Sequence, residues 1–189
     1  MNEQLGPIPG EFYSFDTGRP FKHCLICGVD LTTDNQDYFV EKAIRNYSEH
    51  HVQDVVYEYA MCLDCAQKMH AKMSVESQRN IHKYFSSQEQ FMNAIQNHTS
   101  SSLDVNLKEC LITHQTTEQM SEYVLYGHFR GNHMVLTTMP YVLNCCIMEE
   151  VSELLSAKTI GEIDDFSGKY FGGPPELEEL FRTRKPVFF

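Results

Sequence analysis

The pattern of apolar and polar positions includes strand-like runs that predict two β-hairpins along the chain. In the first half, the strand-like runs are Asp37 to Tyr47 and Val52 to Met61, connected by Ser48 to His51. In the second half, they are Glu122 to Arg130 and His133 to Leu143. These runs carry β-branched and aromatic residues, which favour strands. Antiparallel hairpins are therefore the expected sheet elements.

From Cys65 onwards, the period of the apolar positions changes to that of a helix. The apolar side chains at roughly helical spacing are Ala66, Met69, Met73, Ile81 and Phe85. A further helix is predicted to start near Ser86 or Ser87, because Glu89 and Gln90 follow three residues later, as in a capping box. The second cysteine pair thus lies at a helix N-terminus, where unpaired N–H groups can donate to sulfur.

Three segments lie outside the periodic pattern. Residues 1–20 are rich in Gly and Pro and predict an irregular N-terminal arm, with little regular structure before Phe21. Residues 98–106 are polar and predict a linker. Residues 159–189 predict a C-terminal tail with a short helix starting at Pro175, a residue that a first helical turn accepts.

The composition indicates an acidic globular protein. A formal net charge of -11 would repel a phosphate backbone, and the only local basic cluster is Arg182, Arg184 and Lys185. The N-terminus lacks the pattern of a secretory signal, and no apolar run approaches the roughly 20 residues of a membrane span. We therefore expect a cytoplasmic protein without membrane contact, in which the seven cysteines favour metal ligation or burial over disulfides.

Four of the cysteines form two C-x-x-C pairs, Cys24 with Cys27 and Cys62 with Cys65. Two such pairs bracketing a two-stranded segment have the spacing that lets four thiolates surround one zinc ion. A thioredoxin-type dithiol uses a single pair. An iron–sulfur cluster could use the same four thiolates. The order of elements fits zinc better, however: a tight turn that carries a C-x-x-C pair, called a knuckle, then a hairpin, then a helix. We expect one structural zinc per chain, since four thiolates leave no open coordination position.

The order Cys24-x-x-Cys27-Gly28, β-hairpin, then Cys62-x-x-Cys65-Ala66 opening a helix resembles a treble-clef zinc finger. The resemblance covers about a quarter to a third of the chain. It implies the four ligands and the architecture, but no specific activity, because this fold serves many functions.

The His-Asn-His nucleases are a treble-clef branch that would make the protein an enzyme. They carry a histidine directly after the second knuckle and a catalytic histidine in the hairpin. Here Ala66 follows Cys65, and the hairpin offers His50 and His51 without the neighbouring Asp-His arrangement. No Gly-rich phosphate loop is present either. The sequence therefore identifies no catalytic residues.

The second half of the chain resembles the first. Phe21 to Cys27 can be aligned with Leu107 to Thr113 at an offset of 86 residues, which falls to 82 at the helix that follows the second strand. The aligned later positions pair Asp37-Tyr38-Phe39-Val40 with Glu122-Tyr123-Val124-Leu125, Tyr59-Ala60-Met61 with Tyr141-Val142-Leu143, Met69 with Val151, Met73 with Leu155, and Ser74 with Ser156. A duplication is therefore predicted.

In this alignment, the second copy keeps only one of the four cysteines. Cys24 is matched by Cys110, whereas Thr113, Asn144 and Ile147 stand opposite Cys27, Cys62 and Cys65. The second copy would then keep the shape, lose the metal and depend on packing alone. Cys110 and His114 could form a second site with Cys145 and Cys146, but two adjacent cysteines are awkward ligands for one ion, so a buried structural role is favoured.

Together, these patterns predict an α+β fold with two treble-clef-like units. Residues 21–97 form the zinc-binding unit with its following helices, and residues 107–158 form the degenerate, metal-free unit. The predicted function is a non-enzymatic adaptor or regulatory module that binds another protein through its C-terminal tail or hairpin edges. A nucleic-acid-binding or nuclease-type treble clef is the alternative, disfavoured by the charge. Pairing of a hairpin edge with a second copy of the chain is left open.

Overall fold

The computed structural model describes residues 4–47, 50, 52–88, 107–136 and 139–172 and confirms the α+β class. Its strands are β1 (Gln4–Pro7), β2 (Asp37–Tyr47), β3 (Val52–Cys62), β4 (Glu122–Arg130), β5 (His133–Leu136) and β6 (Tyr141–Asn144). Its helices are α1 (Leu63–Lys72), α2 (Val75–Ser87), α3 (Cys145–Ser152) and α4 (Ala157–Tyr170), with a 3-10 turn at Gly10–Phe12.

All six strands belong to one antiparallel sheet. The order is β1, β5, β4, β2, β3, and β6 pairs with β4 beyond the end of β5. The two central strands, β2 and β4, come from the two halves of the chain and pair along nine residues, from Asp37 opposite Arg130 to Arg45 opposite Glu122. The predicted units therefore share a continuous sheet.

The N-terminal arm is more ordered than the sequence predicted. Residues 4–7, which fall in the predicted irregular segment, form β1 and pair with β5. A strand of four residues containing Gly6 and Pro7 gives no alternation signal, and it forms because β5 offers an open edge. Farther along, Phe12 is buried in the core, whereas Phe15 is 66% exposed.

Two further predicted elements differ from the structure. The strand predicted over His133 to Leu143 is divided into β5 and β6, and Pro140, just before β6, lacks the N–H that a central strand needs. Ser86 and Ser87, where a helix was predicted to start, are the last two residues of α2. α2 begins at Val75, after the N-cap Ser74, whose hydroxyl accepts the Ser77 N–H. The rest of the helix predicted from Ser86 or Ser87 lies outside the described residues.

A helix was missed where the C-terminal tail was predicted to begin. α4 runs from Ala157 to Tyr170 and crosses the predicted boundary at residue 159. Its N-cap is Ser156, whose side chain accepts the Thr159 N–H, and Ile163 and Phe166 are buried. This apolar face was hidden by the acidic residues between its members. The linker 98–106 and the helix predicted from Pro175 lie outside the described residues.

The two faces of the sheet are covered by different parts of the chain. On one face, Phe12 packs edge-on against Phe129, which stacks on Tyr38, each with ring centroids 5.2 Å apart. On the other face, Phe166 of α4 packs against Tyr59 with centroids 5.7 Å apart. The sheet is therefore the shared core layer, with the N-terminal segment on one side and helices on the other.

Gly127 in β4 is required by close packing of this core. A Cβ atom at this position would lie 2.6 to 2.8 Å from ring atoms of Phe129 and Phe12, both of which are fully buried. We expect Gly127→Ala to lower the free energy of unfolding by about 1–3 kcal/mol through overpacking, measured by urea denaturation. The control is Gly161→Ala in α4, where an added Cβ would meet no atom within 4 Å other than those of its chain neighbours and its own helix backbone. This variant is expected to gain about 0.5–1 kcal/mol of stability from helix propensity. Equal effects would contradict the packing argument.

Candidate metal centre

The first cysteine pair is held in a tight turn before β2. The Gly28 N–H donates to the Cys24 carbonyl at 2.9 Å, and the Cys24 N–H donates to the Val29 carbonyl at 3.0 Å. Gly28 has a φ of 72°, in the left-handed region that glycine adopts without strain. The turn therefore directs the side chains of Cys24 and Cys27 towards the same point.

The second pair lies where β3 ends and α1 begins. Cys62 is the last residue of β3 and the N-cap of α1, and Cys65 lies in the first turn of that helix. The two pairs are joined directly, because the Leu25 N–H donates to the Ala60 carbonyl at 2.9 Å and the Cys62 N–H donates to the Cys24 sulfur at 3.4 Å.

The four cysteines converge as the sequence predicted. The sulfur atoms of Cys24, Cys27, Cys62 and Cys65 all lie within 4.8 Å of one another, and those of Cys27 and Cys62 are 3.7 Å apart. A zinc ion with four sulfurs at about 2.3 Å in a tetrahedron sets the sulfur atoms about 3.8 Å apart. The arrangement can therefore hold one metal ion.

The electrostatics of the cluster also suit a cation. Burial alone would raise the pKa of Cys24, but N–H groups from Cys27, Cys62 and Ile26 outweigh it and lower the pKa to about 7. For Cys65, burial and the neighbouring thiols raise the pKa. Four thiolates cannot share this space without a compensating positive charge, and a bound metal ion supplies that charge. Cys27 is exposed, while the other three cysteines are buried.

The remaining cysteines do not join a second cluster of this kind. Among the described residues, the four-cysteine group is the only one found with three or more metal-ligating side chains in reach of one ion. Cys110 is fully buried, as expected for a structural role, but Cys145 is partly exposed and Cys146 is exposed. His114 hydrogen-bonds through its Nδ1 to the Glu109 carboxylate at 2.8 Å.

The hairpin histidines are not assembled into a site by the described residues. His50 is exposed, and its backbone N–H donates to the Tyr47 carbonyl. His51 lies outside the described residues. Within the described part of the hairpin, the nuclease interpretation thus gains no catalytic arrangement.

A buried polar cluster in the middle of the sheet was not predicted. Glu41 of β2 is 5% exposed and accepts hydrogen bonds from the hydroxyls of Tyr57, at 2.6 Å, and Tyr59. Burial raises the pKa of Glu41 to about 7, although both tyrosine hydrogen bonds oppose the shift. The sequence gives no signal for this burial, because Glu41 is followed directly by Lys42 in a strand that mixes polar and apolar residues.

Comparisons with known proteins return no relative from which a function could be transferred. The chain matches no protein-family model, no curated protein and no solved structure. Within the described part of the chain, the helices are all too short or too polar to cross a lipid bilayer.

Proposed function

We propose that the chain is a zinc protein of the treble-clef type in which the metal has a structural role. The convergence of Cys24, Cys27, Cys62 and Cys65 is the observation that carries the proposal. Four sulfur ligands favour zinc over harder cations and close the coordination sphere, so the ion would hold the knuckle to the joint between β3 and α1. Cysteines that bind metal and do not form disulfides suit a reducing compartment such as the cytoplasm.

The second half of the chain is, in this proposal, a metal-free copy of the first. Support comes from hydrogen bonds at corresponding positions across the helical region. The Ser74 N–H donates to Thr159 Oγ1 at 3.0 Å, and the Ser156 N–H donates to Ser77 Oγ at 2.8 Å. Ser74 and Ser156 are the aligned N-caps of α2 and α4, and their hydroxyl oxygens lie 2.8 Å apart. The contact is reciprocal, as at a two-fold axis.

The central strand pair has the same reciprocal character. Asp37 at the start of β2 pairs with Arg130 at the end of β4, with 2.9 Å between Oδ1 and Nη2. Glu122 at the start of β4 pairs with Arg45, two residues before the end of β2, at 3.1 Å. Asp37 and Glu122 are aligned in the repeat, and so are the two arginines. Such self-complementary pairing is the pattern of a two-fold dimer interface, here formed within one chain.

For biological role, we propose a non-enzymatic module that binds another protein. β3 is the last strand at one side of the sheet, and no described strand pairs with its outer edge. Its first residues are exposed, with Val52 54% accessible. An exposed edge can accept an extended segment of a partner or a second copy of the chain. The tail residues 182–189, the other predicted surface, lie outside the described residues.

A charge placed at this edge tests the proposal. We expect Val52→Lys to reduce the recovery of partners, or the dimer fraction in sedimentation, at least several-fold, because an edge lysine opposes strand pairing. The control is Val75→Lys on α2, another exposed valine, which is expected to bind like wild type. Identical binding by both variants would remove the β3 edge from the proposal. A variant that lacks residues 182–189, compared with wild type in the same assay, tests the tail.

Nucleic-acid binding is the competing function. The net charge of -11 opposes it. Binding of DNA or RNA by the zinc-loaded protein that weakens steeply with salt would replace the adaptor proposal.

A further inference from the structure

We propose that the second half of the chain contains a former metal site in which a hydrogen-bonded bridge from Gln115 replaces the ion, and that cysteines restored at Thr113, Asn144 and Ile147 would recreate the site with Cys110. The inference rests on the proposed zinc site of the first half, because it uses that site as the template.

The backbone around Cys110 repeats the first knuckle bond for bond. The Cys110 N–H donates to the Gln115 carbonyl at 2.8 Å, and the His114 N–H donates to the Cys110 carbonyl at 3.0 Å. These bonds correspond to those from Cys24 to Val29 and from Gly28 to Cys24. The isolated bridge between Glu109 and Thr116 likewise corresponds to that between His23 and Asp30.

The turn geometry is kept even where glycine is lost. His114 stands at the position of Gly28 and has a φ of 56°, which is uncommon for any residue other than glycine. A chain that needed no tight knuckle at this point would have no reason to hold a histidine in this conformation. The fold of the second half thus retains the backbone shape that directs two ligand side chains to one point.

The sulfur of Cys110 also keeps its former surroundings. The Asn144 N–H donates to this sulfur at 3.3 Å, as the Cys62 N–H does to the sulfur of Cys24 at 3.4 Å. Asn144 is the N-cap of α3, as Cys62 is of α1. The Leu111 N–H donates to the Val142 carbonyl at 2.9 Å, which matches the bond from Leu25 to Ala60. The knuckle and the start of the following helix therefore have the same relative position in both halves.

Two of the three side chains at the lost ligand positions now hydrogen-bond to Gln115. Its Oε1 accepts the Asn144 Nδ2–H at 2.6 Å and the Thr113 hydroxyl at 3.4 Å. Asn144 Oδ1 accepts the Cys146 N–H at 3.1 Å, which caps α3. Ile147, at the fourth position, is buried among apolar residues. A polar bridge and one apolar contact thus connect the two segments that a metal would otherwise connect.

Restoring the three cysteines tests the inference directly. The variant carries Thr113→Cys, Asn144→Cys and Ile147→Cys, in a Cys146→Ser background that removes the neighbouring exposed thiol. We expect two zinc ions per chain by elemental analysis, against one in the Cys146→Ser parent, and a doubled thiolate-to-cobalt absorption after Co²⁺ substitution. The matched control, Thr113→Ser with Asn144→Ser and Ile147→Ala, is expected to keep one zinc ion.

The outcomes separate this inference from the proposed function. One zinc ion in the parent and one in the folded triple-cysteine variant would overturn the inference of a former metal site in the second half and leave the proposed zinc site of the first half intact. No zinc in either protein would overturn the proposed zinc site of the first half as well.

A second measurement applies if the triple-cysteine variant does not fold. In the otherwise natural chain, Gln115→Ala, Asn144→Ala and the double variant form a thermodynamic cycle. We expect the decrease in melting temperature of the double variant to be clearly smaller than the sum of the decreases of the two single variants, because both single changes remove the same bridge. Val29→Ala, at the first-half position that corresponds to Gln115, is the control and is expected to leave the melting temperature unchanged. Additive losses would overturn the bridge.

Discussion

Replacing Cys62 by serine is expected to abolish metal binding and to lower the free energy of unfolding by on the order of 5 kcal/mol. Cys62 is the last residue of β3 and the N-cap of α1, and it also donates its N–H to the Cys24 sulfur. Removing its thiolate opens the coordination sphere at the point where the knuckle is attached. For a chain of this length, the loss corresponds to roughly 10–20 °C in melting temperature, measured by calorimetry together with zinc content.

The matched control is Cys146→Ser, an exposed cysteine outside the cluster. It is expected to keep the wild-type zinc content and melting temperature. A strong chelator acting on the wild-type protein is expected to reproduce the Cys62→Ser result, because metal binding and folding are coupled. A Cys62→Ser protein that melts at the wild-type temperature, with wild-type insensitivity to chelator, would show that the cluster does not support the fold.

The shared sheet predicts where the metal-free chain loses structure first. β2 pairs with β4 along nine residues, none of which is a cysteine. The turn that carries Cys24 and Cys27, in contrast, is joined to β3 by the Leu25-to-Ala60 and Cys62-to-Cys24 bonds and, in the proposal, by the metal. Local opening of weakly attached segments precedes global unfolding. Amide exchange in the Cys62→Ser protein is therefore expected to accelerate around Cys24 to Gly28 more than in β4.

The parts of the fold that could be predicted from the sequence are those with local signals. The bounds of β2 and β4 follow from their strand-like runs of apolar, β-branched and aromatic residues. The four-cysteine cluster follows from the C-x-x-C spacing, because each pair fixes two ligands within one turn. The zinc assignment itself stays a prediction. β1 gave no such signal, since four residues with Gly6 and Pro7 form a strand only when another edge is offered.

The pairing of β2 with β4 could not be predicted, although the aligned repeat contained a clue. Each strand begins with an acidic residue and carries an arginine eight residues later, Asp37 and Arg45 in β2 and Glu122 and Arg130 in β4. Antiparallel pairing brings each acid to the other strand's arginine. The charges match only when β2 and β4 pair in this register. The charge pattern alone therefore does not select this pairing over other strand pairings.

The burial of Glu41 was equally invisible in the sequence, and it leads to the second large prediction. Relative to Glu41→Gln, the wild-type protein is expected to lose about 3 kcal/mol of stability as the pH rises from about 4.5 to about 7. Burial raises the pKa of Glu41 in the folded protein to about 7, above its usual value of 4.5. Between these values, the folded state retains a proton that the unfolded chain releases, so rising pH favours unfolding. Above about 7, both states are ionised and this contribution to the slope ends.

The difference between the unfolding curves of wild type and Glu41→Gln isolates this group from all other carboxylates. Urea denaturation at half-unit steps from pH 4 to 8.5 gives the difference directly. Tyr57→Phe and Tyr59→Phe each remove a hydrogen bond that stabilises the charged carboxylate, so both are expected to move the pH window upward. A difference that stays flat from pH 4.5 to 7 would contradict the raised pKa of Glu41. A window that moves downward in the tyrosine variants would show that these hydroxyls stabilise the neutral acid instead.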